Sequence, residues 1–397
     1  MKDSGLPYIG VIPTQWNLFR LKAFFTPYAI TNKPDARVLS LYRDYGVIPK
    51  DSRDDNHNVT SLDTSKYKYV NRGDFVINKM KAWQGSMALS GYDGIVSPAY
   101  HVFKFRSEGL WPRYAHYLLR CSSLSDLWRG LSTGLRVGQW DLHVDDFLNT
   151  YIPLPPLNEQ RRIADYLDAK CTEIDAAVDS AQASIDELMT YRTAMLNQTM
   201  DAASHDARPV KLKYLLKESK DRSADGKGEP LSITIARGVL KSSELNVPNP
   251  ISTLVGAKVV HAGDLVFNKL KARHGVMYVS PYDGLISSEY AIYQAFDDHV
   301  VSLRYLEYLC HTTGMIDEFI IRTSGVAEGF RRLYTTDLFD ITINLPERSA
   351  QEAVVNILDT LYGAIADSIH AKQSIIDDLK AYKQSLIYEV VTGKKEV

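Results

Sequence analysis

The chain contains one stretch of itself twice. Residues 73–100 read GDFVINKMKAWQGSMALSGYDGIVSPAY, and residues 263–290 read GDLVFNKLKARHGVMYVSPYDGLISSEY. They align without a gap at an offset of 190, with 15 of 28 positions identical. The likeness runs wider. Leu21-Lys22 matches Leu212-Lys213, Leu39-Ser40 matches Leu231-Ser232, and Arg113-Tyr114 matches Arg304-Tyr305. Gly134, Gly138 and Leu154-Pro155 match Gly325, Gly329 and Leu345-Pro346. A period near half the chain means one duplicated domain rather than a solenoid of small repeats. Two similar domains present two similar surfaces, so the ligand to expect is one with two comparable sites.

Length and composition agree with this. A chain of 397 residues suits two or three domains, and 45% hydrophobic with 24% charged residues suits a protein with true cores. Cys121, Cys171 and Cys310 form no paired motif, which fits a reducing cytoplasm and speaks against a disulfide framework or a zinc site. No apolar run is long enough to span a bilayer and no signal peptide is recognisable, so no membrane partner is expected. The net charge of −2 is unevenly spread: +5 over residues 1–155, −5 over 156–205, 0 over 206–346 and −2 over 347–397. Attraction to phosphate would therefore be local, with a partner able to supply part of it.

Residues 159–200 run without Pro or Gly. Cys171, Ile174, Val178, Ala181, Ile185 and Leu188 follow the alternating three-and-four spacing of a coiled-coil seam. The second copy supplies Tyr362, Ile365, Ile369, Lys372, Ile376 and Leu379, with Lys372 interrupting the seam. Forty helical residues would measure about 60 Å, too long to lie buried in one domain. Pro153, Pro155 and Pro156 mark the first helix start and Pro346 the second, with Asn158 or Ser349 as N-cap and Gly393 as C-cap. The two helices either pair with each other, antiparallel about a pseudo-twofold axis, or each packs on its own domain. The expected segments are thus 1–155 and 206–346, two globular domains, with long helices over 156–205 and 347–397.

Within the repeat, Phe75–Ile77 and Leu265–Phe267, and Tyr100–Phe105 and Tyr290–Tyr293, read as strands. Tyr92-Asp93-Gly94 and its copy Tyr282-Asp283-Gly284 carry the Asp-Gly signal of a tight hairpin. Residues 113–128 and 304–321 read as helices. The fold class is mixed α/β (α+β): two similar globular domains joined by two long helices. P-loop, HExxH, nucleophile-elbow and metal-ligand cysteine patterns are absent, as is the Asn-Pro-Pro-aromatic tetrapeptide of amino-methyltransferases. No catalytic or metal-binding residues are assigned, and the chain reads as a recognition protein. The alternatives are a coiled-coil adaptor without sequence-specific DNA binding and a self-contained DNA-modifying enzyme.

The order of these motifs resembles the specificity subunits of type I restriction-modification enzymes, the HsdS family. Gly10, Val11, Ile12, Pro13 and Trp16 with Leu21-Lys22 resemble the family's opening. Asn78 to Gly85 with Tyr92 to Ser97 resemble a target-recognition-domain block. Pro153 to Leu157 followed by Glu159-Gln160, Ile163, Leu167-Asp168 and Ile174-Asp175 resemble the start of its spacer helix. The second half departs from the pattern, with Leu345-Pro346-Glu347 lacking the double proline and Ala350 replacing Glu159. The resemblance implies that each domain reads one half of a bipartite double-stranded DNA site. The helical spacer would set the gap and dock two methyltransferase subunits, and restriction/translocase subunits would join for cleavage. AdoMet, ATP and Mg²⁺ would belong to those partner subunits, none to this chain, and the location would be cytoplasmic.

Under that resemblance the repeat sorts candidate DNA contacts. Positions shared by both copies hold the fold or grip phosphate; differing positions in a shared frame read bases. Lys79, Lys81, Lys269 and Lys271 are the phosphate candidates, or else solvated lysines beside a strand. Gln84, Arg273 and His274, together with Arg136 and Gln139 in one loop and Arg331 and Arg332 in its copy, are the base-reading candidates. Arg43 and Arg237 are further candidates, and Trp83 fits a groove wall or the core better than a base reader.

Overall fold

The computed structural model describes residues 1–43, 45–52, 60–61, 63–134, 140–205, 207–245, 254–325 and 331–397. The chain forms two compact units: residues 1–182 with 373–397, and residues 183–372.

The first unit is built on a four-stranded antiparallel sheet of Phe25–Tyr28 (β1), Phe75–Asn78 (β2), Met87–Leu89 (β3) and Tyr100–Phe105 (β4), in the order β1-β4-β2-β3. The run Phe75-Val76-Ile77 is apolar throughout because both faces of this sheet are covered. Phe75, Ile77 and Phe103 face a large core containing Phe25, Trp128 and Phe147. Val76, Ala88 and Val102 face a smaller core containing Leu39, Val47, Val70 and Val96. The helical stretch read over 113–128 is two helices, Pro112–Arg120 (α1) and Ser122–Leu131 (α2), broken at Cys121, whose backbone is extended (φ −63°, ψ 156°). The 48-residue helix Leu157–Ser204 (α3) follows.

The second unit repeats the plan. Leu216–Glu218 (β5), Leu265–Phe267 (β6), Met277–Val279 (β7) and Ala291–Ala295 (β8) form an antiparallel sheet in the order β5-β8-β6-β7. Leu265, Phe267 and Tyr293 face one core, and Val266 and Ile292 the other. Leu303–Cys310 (α4) and Thr313–Arg322 (α5) are again separate, with the Thr312 hydroxyl accepting from the Met315 N–H to start α5. The 44-residue helix Arg348–Val391 (α6) closes the chain. Among the described residues no helix is long and apolar enough to cross a membrane.

Two local expectations are corrected. The Asp-Gly sequences do not turn a hairpin: Gly94–Val96 pairs with Lys68–Val70, whereas β3 pairs with β2. Residues 90–93 carry the chain from one sheet to another. Asp93 Oδ1 accepts from the Arg72 N–H, and Asp283 Oδ1 from the Ala262 N–H. The glycine is needed for close backbone approach, because a Cβ on Gly94 would lie 2.4 Å from the Arg37 carbonyl oxygen and one on Gly284 2.5 Å from that of Glu229. Nor are Asn158 and Ser349 N-caps. The helices begin at Leu157 and Arg348, with the carbonyls of Pro156 and Glu347 accepting the first N–H bonds. Asn158 Oδ1 accepts from the adjacent Glu159 N–H inside the first turn. At the far end Gly393 adopts φ +72°, as a C-terminal glycine should.

Both long helices contribute to both units. In the first, Ile163, Leu167 and Ile174 from α3 and Leu386, Val390 and Val391 from α6 join one core, and Lys383 pairs with Asp175 at 2.6 Å. In the second, Leu196 and Met200 from α3 meet a core holding Val354 and Leu358 from α6, and the Arg192 guanidinium lies over the Tyr362 ring at 5.2 Å, a cation–π contact. The start of one helix thus accompanies the end of the other, so the pair is antiparallel. Ile174, Ile185, Ile365 and Ile376 are buried, and Val178, Leu188, Ile369 and Leu379 are half-buried. The helix pairing and the packing of helix ends on the domains therefore coexist.

A shared glutamine joins each helix to its domain. Gln160 is fully buried; its Oε1 accepts from the Trp111 N–H at 2.7 Å, and its Nε2 donates to the carbonyls of Gly109 and Pro155. Gln351 repeats the pattern with Ser302 N–H and the carbonyls of Val300 and Pro346. Arg113 and Tyr117 converge on Asp168, and Arg304 and Tyr308 on Asp359.

Candidate nucleic-acid interface

The most similar pieces of the two units are a strand followed by a tight 3-10 turn. In the first unit β2 ends at Asn78, and Ala82–Gln84 form the turn. In the second, Lys269–His274 form it after β6. The shared asparagine begins the turn: Asn78 Oδ1 accepts from the Met80 N–H, and Asn268 Oδ1 accepts from the N–H groups of Leu270 and Lys271. The shared glycine ends it in the left-handed region, with Gly85 at φ +75° and Gly275 at φ +63°. Both glycines face a helix closely, since a Cβ would lie 2.9 Å from Ser125 Oγ in one unit and 3.2 Å from the His311 ring in the other. Buried Ala82 and Ala272 fix the inner side of the turn. Lys81 and Gln84 are exposed in the first unit, and Lys271, Arg273 and His274 in the second. The Arg273 Nε–H points at His274 Nε2, 3.3 Å away.

A second loop is joined to this turn in each unit. Its base is closed by a backbone bridge, Thr133 with Asp141 and Ser324 with Arg332. It is tied to the turn through Leu142 N–H to the Lys79 carbonyl, and Leu333 N–H to the Lys269 carbonyl. Arg136 and Gln139 lie outside the described residues. Trp140 packs edge-on against Trp83 at 5.5 Å, and the Trp83 indole N–H donates to the Met80 carbonyl, so Trp83 is a half-buried wall of the turn. In the second unit Arg331 is exposed, and Arg332 pairs with Glu289 at 2.9 Å.

The shared lysines differ in their surroundings. Lys79 is held by Asp141 at 2.8 Å with both side chains partly exposed. Lys269 has no ion pair among the described residues; burial, then Lys258, pushes its ammonium below the usual lysine range. Close by in the first unit, burial, then Lys79, lowers Lys68, which donates to the Tyr100 carbonyl. His101 sits beside the Leu142 carbonyl, and burial pushes its imidazole down. Arg43 and Arg237 lie on the turns between Leu39–Tyr42 and Gly46–Pro49, and between Leu231–Thr234 and Gly238–Lys241. The Arg43 carbonyl accepts from Arg120, and Arg237 reaches Glu244 at 3.5 Å.

The pair Lys68 and Lys258, related by the same offset of 190, escaped the sequence reading because it lies five residues before the aligned block. Lys258 is buried and salt-bridged to Glu218 at 3.0 Å. Burial would raise the Glu218 carboxyl, but hydrogen bonds from Thr335 and Lys258 hold it below the usual carboxylate range. This pair is structural. The three cysteines are free and buried, and among the described residues the one grouping of metal-ligating side chains, Asp297, Asp298 and His299, is wholly exposed.

Residues 13–178 match the family described as type I restriction modification DNA specificity domain. The chain is 21% identical over 362 residues to the protein named "Putative type I restriction enzyme MjaX specificity subunit" of Methanocaldococcus jannaschii, covering 84% of this chain and 81% of that protein. Its fold matches the HsdS subunit from Thermoanaerobacter tengcongensis, at TM-score 0.53 and 18% identity, with all of both chains covered. It also matches a chain from a structure concerned with complex assembly and conformational transition of the type I R-M system. That match has TM-score 0.73 and 19% identity and covers 97% of this chain and 100% of the other. The fold, its duplication and these likenesses agree: the chain is similar to type I restriction-modification specificity subunits, in sequence to the DNA specificity domain over residues 13–178 and in fold over nearly its whole length.

Proposed function

We propose that this chain is the non-catalytic subunit that gives a type I restriction-modification complex its DNA sequence specificity. Each unit binds one half of a bipartite duplex site, and the paired helices hold the two readers and dock methyltransferase subunits. The observation that carries this reading is the matched pair of 3-10 turns. Identical residues build the turn in both copies, while the pair before the closing glycine changes from half-buried Trp83 and exposed Gln84 to exposed Arg273 and His274. Such an arrangement suits two different half-sites read in one frame: Gln is suited to the adenine edge and Arg to the guanine edge. Two readers on a rigid spacer select half-sites by separation as well as sequence, as symmetric DNA-binding dimers do.

Exposed apolar side chains on the long helices support the docking role: Ile375 and Tyr382 in the first unit, and Met189, Tyr191 and Ile357 in the second. AdoMet, ATP and Mg²⁺ serve the methyltransferase and restriction subunits, and the assembly works in the cytoplasm. The test is methylated-base sequencing of the host genome with and without the gene. Loss of N6-methyladenine from one split motif on deletion is the expected result. An unchanged methylome with the methyltransferase expressed would leave a coiled-coil adaptor.

A further inference from the structure

Asp141 and Arg332 occupy the same place in the two units, each across the bridge that closes its loop, and they have opposite charge. In the first unit Asp141 holds the ammonium of Lys79 at 2.8 Å. In the second, Arg332 is taken by Glu289, whose counterpart is the uncharged Ala99. Lys269 is therefore left without an ion pair among the described residues. The neighbouring position changes in the same sense, from Trp140 against Trp83 to exposed Arg331. Among the described residues around the turn the first unit offers Lys81 and Gln84 with a tryptophan pair, and the second offers Lys269, Lys271, Arg273 and Arg331.

We propose that the two units grip duplex DNA by different means: the second holds phosphates with cations that have no ion pair among the described residues, while in the first Asp141 withholds Lys79 from the backbone and so attenuates the grip. This rests on the DNA-binding reading above. The loop base does not depend on the carboxylate, because Asp141 and Thr133 exchange both backbone hydrogen bonds. Neutralising Asp141 leaves Lys79 repelled by nearby Lys68 and free to turn outward. Each phosphate neutralised by a cation contributes about 0.9 to the slope of log K against log salt concentration.

The test uses the full chain and a short mixed-sequence DNA duplex, with affinity followed by fluorescence anisotropy through a KCl titration. Asp141→Asn is expected to tighten binding and steepen the slope by about 0.9. Lys79→Ala is expected to leave the wild-type slope unchanged and to remove the gain in the Asp141→Asn background. Lys271→Ala and Arg331→Ala should each flatten the slope by about 0.9. If Asp141→Asn binds DNA with the wild-type slope, or Lys79→Ala flattens it in the wild type, attenuation is overturned and the DNA-binding reading stands. If the wild-type chain shows no salt-dependent DNA binding, the DNA-binding reading falls and the attenuation with it.

Discussion

In the first unit the N–H of Leu89 is accepted by His116 Nδ1; in the second, the N–H of Val279 is accepted by Glu307 Oε2. His116 lies beside Arg120, whereas Glu307 is held by Arg304 at 2.6 Å. The helix position of Arg120 is taken by His311, which packs against Tyr278 at 4.8 Å. What the duplication preserves here is an acceptor for one strand-edge N–H, not the identity or charge of the group supplying it. The same holds outside: the Asn-initiated, Gly-terminated turn is kept while Asp141 becomes Arg332 and Gln84 becomes His274. Buried hydrogen bonds are expensive to lose, so they persist through divergence. Exposed charges cost little to change, so they are where two copies can become two different readers.

The largest expected effects test whether the two scaffolds are equivalent. Gln160→Leu and Gln351→Leu each strand one buried N–H and two carbonyls, and each should cost about 3 kcal/mol. Urea unfolding of both variants would show similar losses, and a loss confined to one variant would break the equivalence. Gly393 has no such twin. A Cβ there would lie 2.4 Å from Pro13 Cδ, and its φ is +72°, so Gly393→Val should destabilise the first unit alone. Limited proteolysis should then cleave first within residues 1–182.

Arg273→Ala comes next. Losing one base-edge contact costs about 1–3 kcal/mol and should relax the second half-site only. Degeneracy at both halves of the methylated motif would show instead that Arg273 supports the fold.

Smaller still is a dependence on acidity. Burial pushes His311 down to about 4, and burial with Arg120 and Arg113 pushes His116 well below the usual imidazole range. Both imidazoles stay neutral in the folded chain while the unfolded chain binds protons near pH 6.5. Their contribution to stability is therefore complete above that pH and is lost as pH falls toward the folded values, by up to about 1.4 kcal/mol per pH unit for each proton. His116→Gln, which keeps an acceptor for Leu89, should flatten the decline in melting temperature between these limits. An equally steep decline would assign it elsewhere. The smallest effect is on the surface: Asp175→Ala should cost under about 1 kcal/mol, because exposed ion pairs contribute little.

How much of this was legible in the residues depends on the range of the cause. The strands at Phe75–Ile77 and Leu265–Phe267, the seam from Ile174 to Leu379, and Gly393 as a helix terminator follow from periodicity and local chemistry. The break at Cys121 was missed because apolar spacing continues across it, although the Ser and Thr residues at 122–123 and 312–313 are the kind that start helices. Asp93-Gly94 was misread because close backbone approach and a hairpin call for the same glycine.

The sequence by itself determined that there are two copies, what each copy is made of, and which residues differ in a shared frame. Repetition and periodicity are properties of neighbours along a chain. Tertiary structure alone decided that both long helices serve both units, that Gln160 and Gln351 lock them in place, and that Lys79 is paired while Lys269 has no ion pair among the described residues. Those outcomes depend on groups far apart in sequence meeting within a few ångströms. Lys79 and Asp141, 62 residues apart, are the clearest case. A hydrogen bond or an ion pair exists only at that distance, whatever the spacing along the chain.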